Sequence, residues 1–177
     1  MRVLGAVLAG GQSSRFGSDK AKALLHGRSL LEHAVEALRP YCDALVVVGR
    51  PSALADSVED WPAPGGGPLG GLAGALHHAL ANGFSHVLSI SVDSAFLPAN
   101  LRILLEPGPA YLASQPVIGI WPAAAAGALE EILFGNGSHS MRAFADAIGA
   151  RAVAGITVPA NINTPQDLAR LEQHHGL

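Results

Sequence analysis

A single cysteine, Cys42, among 177 residues excludes an internal disulfide framework and a cysteine-rich zinc site, and it fits a reducing cytoplasm. Lysine and arginine together number only 11 against 14 acidic residues, the formal net charge is −3, and no basic block occurs anywhere. That balance argues against a sequence-independent grip on nucleic acid. No apolar run is long enough to span a membrane. The G-x-S-x-G nucleophile elbow is missing and Cys42 has no histidine near it in sequence, so a hydrolase or thiol mechanism has no support. The eight histidines include the pairs His77-His78 and His174-His175. Neighbours on a helix point about 100° apart and chelate poorly, so these residues are expected at the surface.

What the chain does contain is 49% hydrophobic residues, enough for one buried core, and the length fits one domain over residues 1–177. There are no repeats, linkers or low-complexity tracts. Strands and helices alternate through the first hundred residues, the mark of a mostly parallel sheet covered by helices. Met1-Arg2 before an apolar run superficially suggests a signal peptide. The run is short and leads into a charged glycine-rich loop, so it reads as the first strand. Ser29-Leu30-Leu31-Glu32 predicts a capping box, with a helix running to about Arg39 before Pro40. Ala44–Val48 predicts a second buried strand. Pro68–Ala81 predicts a helix with Leu69, Leu72, Leu76 and Leu80 on one face, closing near Gly83. His86–Val92 predicts a strand that delivers Asp93 at its carboxyl end, where open α/β sheets gather ligands. Further on, Ala110–Ala113 and Val117–Trp121 suggest a short strand pair, residues 123–134 and 140–148 helices, and Arg151–Val158 a late strand. Thr164-Pro165-Gln166-Asp167 opens a final helix. Trp61 and Trp121 read as packing residues.

The most informative stretch is Val3 to Leu25. An apolar strand empties into Ala9-Gly10-Gly11-Gln12-Ser13-Ser14-Arg15-Phe16-Gly17-Ser18-Asp19-Lys20. Gly10 and Gly11 let main-chain N–H groups approach an anion, while Arg15 and Lys20 supply positive charge. A nucleoside triphosphate is the ligand this chemistry suits. The stretch is neither a P-loop, which needs Lys-Ser or Lys-Thr after its last glycine, nor a dinucleotide fingerprint, which needs a third glycine.

The stretch resembles the L-A-G-G-x-S-x-R-x-G-x-D-K signature of nucleotidyltransferases, and of these it is most similar to the molybdenum cofactor guanylyltransferase family. Four more segments match in order. Asp60 followed by Gly65-Gly66-Gly67-Pro68-Leu69-Gly70-Gly71-Leu72 resembles an aspartate plus G-P-L-x-G-L element, whose glycines permit close approach of a planar ligand. Ser91-Val92-Asp93-Ser94-Ala95-Phe96-Leu97-Pro98 resembles D-x-P-F-x-P, with Ala95 in place of proline. Gln115-Pro116-Val117-Ile118-Gly119-Ile120-Trp121-Pro122 resembles H-P-V-x-G-L-W-P, and Asn161-Ile162-Asn163-Thr164-Pro165 matches N-x-N-T-P. After Val46-Val47-Val48 the family often carries an asparagine that touches the nucleotide. This chain has Gly49, so any contact there must come from the backbone.

The resemblance implies a three-layer α/β/α, Rossmann-like nucleotidyltransferase fold and transfer of GMP from GTP to a molybdopterin-type cofactor, with release of pyrophosphate. It implies a nucleotide site lined by Leu8, Ala9, Gly10, Gly11, Lys20 and Asp60, and Mg²⁺ held by Asp93, a hard carboxylate ligand for a hard cation. Arg15 and Lys20 would neutralise phosphate charge, and Asn163 would reach the second substrate. A cytidylyltransferase on the same cofactor shares the first motif, and a carrier that binds without turnover is a rival of another class. Retention of both Lys20 and Asp93 speaks for the enzyme. A molybdoenzyme or its chaperone is the expected partner downstream, with neither nucleic acid nor membrane involved.

Overall fold

In the computed structural model, which describes residues 1–10, 19–94, 96–156 and 164–175, the apolar run of the first motif is β1 (Val3–Leu8), buried along its whole length. A two-stranded ribbon follows, β2 (Leu24–Leu25) and β3 (Arg28–Ser29). Ser29 then caps α1 (Leu30–Leu38): its hydroxyl accepts from the Glu32 amide while the Glu32 carboxylate accepts from the Ser29 amide. This reciprocal pair is the capping box expected from sequence. The next elements are β4 (Ala44–Val48), β5 (Asp56–Val58), α2 (Gly67–Ala81) and β6 (His86–Ser91). The remainder comprises α3 (Leu101–Leu105), β7 (Ala110–Leu112), β8 (Gln115–Pro122), α4 (Ala126–Phe134), α5 (Met141–Ala147), β9 (Arg151–Val153) and α6 (Pro165–His175).

The main sheet has the order β5-β4-β1-β6-β8-β7-β9. Within it only β8 runs against the others. Because successive strand residues face opposite sides, Leu4, Ala6 and Leu8 enter a core with α2, α4 and α5, whereas Val3 and Val7 enter one with α1 and α3. The three-layer α/β/α arrangement follows directly. The chain leaves β1 toward β4 on one side and returns to β6 on the other, so strand order reverses between β1 and β6. A crevice at the carboxyl ends of those strands is where such sheets bind ligands.

Three sequence expectations need correction. Arg151–Val158 is strand only to Val153, because its one neighbour, β7, is three residues long and the chain turns at Gly155, with φ of +78°. Residues 157 and 158 lie outside the described segments. Leu80 does not join the buried face of α2: it is 52% exposed, and Ala79 takes the inward position instead. The third departure concerns His77 and His78, which are half-buried; His77 lies against Trp61 with ring centroids 4.6 Å apart and brings Nε2 to 2.6 Å from Glu130 Oε1. Trp121 is packing as expected, fully buried with its indole N–H donating to Ser89 Oγ at 2.9 Å.

One glycine of α2 also serves packing within the fold. Gly74 admits the chain's own Glu59-Asp60 segment: a Cβ there would meet the Glu59 carbonyl oxygen. Glycine is unfavourable inside a helix, so its presence here trades helix propensity for that contact. Gly74→Ala is expected to lower stability by about 1–3 kcal/mol through overpacking against rigid backbone. A thermal melt checks this, and an unchanged midpoint would remove the packing argument.

Candidate active site

Three strand ends meet at the crevice. β1 delivers Leu8 and Ala9, both buried, and Gly10. The Ala9 amide donates to the Val48 carbonyl at 2.8 Å, extending the β1–β4 pairing into the loop. Beyond the undescribed part of the loop, Asp19 caps a short 3₁₀ turn, Lys20–Lys22, by accepting from the Ala21 amide at 3.2 Å. The turn aims Lys20 across β1 at β6, where Nζ donates to Asp93 Oδ1 at 2.8 Å. The two side chains are 13% and 20% exposed, so the pair is shielded from solvent yet lines the cleft. Asp93 follows β6 in a turn in which its amide donates to Ser91 Oγ and the Ser94 amide to the Ser91 carbonyl.

Asp60 lines the same cleft, its carboxylate beside Gly10 and Gly49. Burial pushes its carboxyl above the usual range, and hydrogen bonding from the Gly65 and Gly66 backbone opposes that shift. The segment is held by the Trp61 amide, which donates to the Gly70 carbonyl at 3.0 Å. Together these groups bound a cleft of about 490 Å³ lined by Leu8, Ala9, Gly10, Lys20, Asp60, Gly65, Gly67, Ser91 and Asp93, among others. That volume suits a small-molecule ligand. The lining offers a cation paired with a carboxylate, Lys20 and Asp93, and a second carboxylate, Asp60, among glycines. No group of three or more histidine, cysteine or acidic side chains is placed to cage a metal among the described residues. Cys42 stands apart: burial pushes its thiol up to about 11, which keeps it protonated and unreactive at neutral pH.

The sequence matches the family model for the MobA-like NTP transferase domain over residues 5–152. The chain belongs to the MobA-like NTP transferase family. Two relatives named molybdenum cofactor guanylyltransferase, from Acidiphilium cryptum and Sinorhizobium fredii, are 38% and 33% identical to it. Each alignment covers 94% of this chain, with 92% and 89% of the respective relatives. Among solved structures, molybdopterin-guanine dinucleotide biosynthesis protein A from Archaeoglobus fulgidus superposes with a TM-score of 0.74 at 23% identity, covering 97% of this chain and 98% of that one. A 2-C-methyl-D-erythritol 4-phosphate cytidylyltransferase from Thermus thermophilus gives 0.67 at 19% identity, covering 100% and 99%. These two likenesses show the nucleotidyltransferase fold. With the family model, the relatives identify the chain as a nucleotidyltransferase enzyme.

Leu8, Ala9, Gly10, Lys20, Asp60 and Asp93, drawn from three of the motifs, line one cleft. Gly11, Arg15, Ala95, Asn161 and Asn163 lie outside the described residues. Gln115 is buried at the start of β8, and within the same Gln115–Pro122 segment Val117 reaches the cleft wall. Arg50 lines the cleft and is absent from the sequence-based set; its one signal was its place beside the strand-ending Gly49.

Gly49 is held by its backbone geometry. Its φ is +93°, and a Cβ there would lie 2.6 Å from Gly10 Cα and 2.7 Å from Gly10 N. The backbone just beyond β4 thus touches Gly10 just beyond β1, and only glycine allows both the angle and the approach. Gly49→Ala is expected to push Gly10 away and weaken GTP binding by roughly 10-fold or more, as strain of about 1–3 kcal/mol implies. Isothermal calorimetry measures it, and wild-type affinity would show that this contact does not shape the nucleotide loop.

Proposed function

We propose that the protein transfers GMP from GTP to the terminal phosphate of a molybdopterin-bound molybdenum cofactor, releasing pyrophosphate and giving the guanine dinucleotide form. The observation that carries this reading is that Asp60 and the Lys20–Asp93 pair line one and the same cleft. A carboxylate can accept both the N1–H and the exocyclic N–H of guanine. Cytosine has no such adjacent pair of donors, so the wall formed by Asp60 favours guanine over the cytidylyl alternative. The relatives that align along nearly the whole chain are named guanylyltransferases, which agrees.

The chemistry needs no protein nucleophile. An acceptor phosphate oxygen attacks the α-phosphorus in line, a new P–O bond forms, and the bond to the β-phosphate breaks with pyrophosphate as leaving group. The protein's task is positioning and charge neutralisation. Lys20 and Arg15 would balance phosphate charge, Gly10 and Gly11 would offer amides, and Asn163 would contact the acceptor. A single carboxylate, Asp93, with substrate phosphates completing the shell, fits the way Mg²⁺ is held in phosphate-transfer sites. There Mg²⁺ would supply Lewis-acid stabilisation of the developing phosphate charge. A reducing cytoplasm is the compartment that suits both the lone cysteine and the cofactor chemistry. Hand-over to a molybdoenzyme or a chaperone would follow.

The test is incubation of the purified protein with Mg²⁺, molybdopterin cofactor and either GTP or CTP, followed by mass analysis. Guanine dinucleotide product formed only with GTP supports the proposal. Cytosine dinucleotide instead would establish the cytidylyl alternative, and tight GTP binding without product would establish the carrier.

A further inference from the structure

Arg50 makes three contacts that join the two ends of the first motif. Its Nε donates to the Ala9 carbonyl at 2.9 Å, where the chain leaves β1. Its Nη1 and Nη2 donate to Asp19 Oδ2 and Oδ1 at 2.8 and 2.9 Å, immediately before Lys20. This parallel fork is the geometry in which guanidinium–carboxylate pairs bind most strongly. The fork holds the Asp19 carboxyl below its usual range, the hydrogen bond from Arg50 being the largest cause. Asp19 Oδ1 also accepts from the Ala21 amide, so the same carboxylate fixes the turn that carries Lys20. Arg50 itself is anchored by Gly49, whose amide donates to Val58 at 2.9 Å and whose Cα lies against Gly10. A continuous set of contacts therefore runs from β4 through Arg50 and Asp19 to Lys20 and on to Asp93 at the end of β6.

We propose that Arg50 is a positioning residue, a clasp that closes the nucleotide loop at Ala9 and Asp19 and thereby sets where Lys20 meets phosphate. This rests on the reading of the cleft as a GTP site. A lysine could keep the charge and reach one acceptor, but it lacks the planar fork needed for Asp19 and Ala9 together. Removing either partner of the fork should therefore have the same consequence, and retaining charge alone should not restore it.

The experiment is a double-mutant cycle with Arg50→Ala, Asp19→Asn and their combination, together with Arg50→Lys, read in two ways. In GTP binding and transfer, Arg50→Ala and Asp19→Asn are each expected to weaken GTP about 10-fold or more. The combination should fall no more than about 3-fold below the worse single variant, since both remove one device. Arg50→Lys should recover little. Inhibition constants for inorganic triphosphate should rise with those for GTP, while those for guanosine stay near wild type, because the wall formed by Asp60 is untouched; a merely structural lesion would raise both. Additive losses, or full rescue by Arg50→Lys, would overturn the clasp in favour of direct contact between the Arg50 charge and the phosphates. The second reading is the melting temperature without nucleotide, where the same pair should show non-additive coupling. A wild-type protein that bound no GTP while that coupling persisted would overturn the functional reading and the Lys20 role with it, leaving a purely structural clasp. Absent coupling in melting, with wild-type GTP binding intact, would overturn the clasp alone.

Discussion

Asp93→Asn is expected to fold and to lose transfer activity by about 10²-fold or more, the scale of removing a preorganised electrostatic contact from a transition state. Asparagine keeps the shape of the side chain and withdraws its charge. Asp93 follows the buried strand β6 and accepts from Lys20 at 2.8 Å. The substitution leaves the sheet intact and acts on the cleft. A neutral amide is a poor ligand for a hard cation, so activity should not be regained by raising Mg²⁺. Metal-free GTP binding should move the other way or hold level, since the variant removes a negative charge from the cleft while Lys20 remains. That split between binding and turnover separates a metal-holding role from general damage, which would depress both. Single-turnover kinetics across a Mg²⁺ titration, with nucleotide affinity measured on the same preparation, decide it. Wild-type turnover at saturating Mg²⁺ would take Asp93 out of the reaction.

The parts of this molecule legible from sequence are those that one physical signal dominates. β1, β4 and β6 are apolar runs because both faces of a central parallel strand are buried, and each lies where its run predicted to within a residue. The starts of α1 and α6 were visible because Ser29-Glu32 and Thr164-Asp167 are local pairs. In the fold Thr164 Oγ1 accepts from the Asp167 amide and Asp167 Oδ2 from that of Thr164. β5 and the β2–β3 ribbon escaped notice, being two or three residues long and largely solvent-facing. With so few residues there is no period to detect. The cleft divides the same way. Lys20, Asp60 and Asp93 stood out as charges at glycine loops or strand ends. Arg50 did not, because its role arises from a side chain folding back onto Ala9 and Asp19, residues far from it in sequence. The closeness of Gly49 to Gly10 is likewise illegible in the sequence, since it appears only once β1 and β4 are paired.

Lys20→Ala is expected to weaken GTP binding and slow transfer together. A charge-assisted hydrogen bond contributes about 1.5–3 kcal/mol, which corresponds to roughly 10- to 150-fold in affinity. Lys20 is carried by a turn that Asp19 caps, and its side chain lines the cleft while largely shielded from water. A cation in that position attracts the triphosphate in the ground state and the charge that develops on the leaving pyrophosphate. Its loss should therefore depress kcat/KM more than affinity alone. The variant also removes the Lys20 cation from Asp93 Oδ1. A carboxylate freed of that cation attracts a divalent ion more strongly, so half-maximal Mg²⁺ should fall even as the rate falls. This opposite movement distinguishes Lys20 as a phosphate partner from Lys20 as a mere support for Asp93, whose loss would raise the Mg²⁺ requirement. Calorimetry with GTP and with guanosine provides the control: the defect should follow the phosphates and spare the nucleoside. Unchanged triphosphate affinity together with an unchanged rate would remove the phosphate site from the cleft around Lys20, and with it the reason for a triphosphate to lie between Lys20 and Asp60.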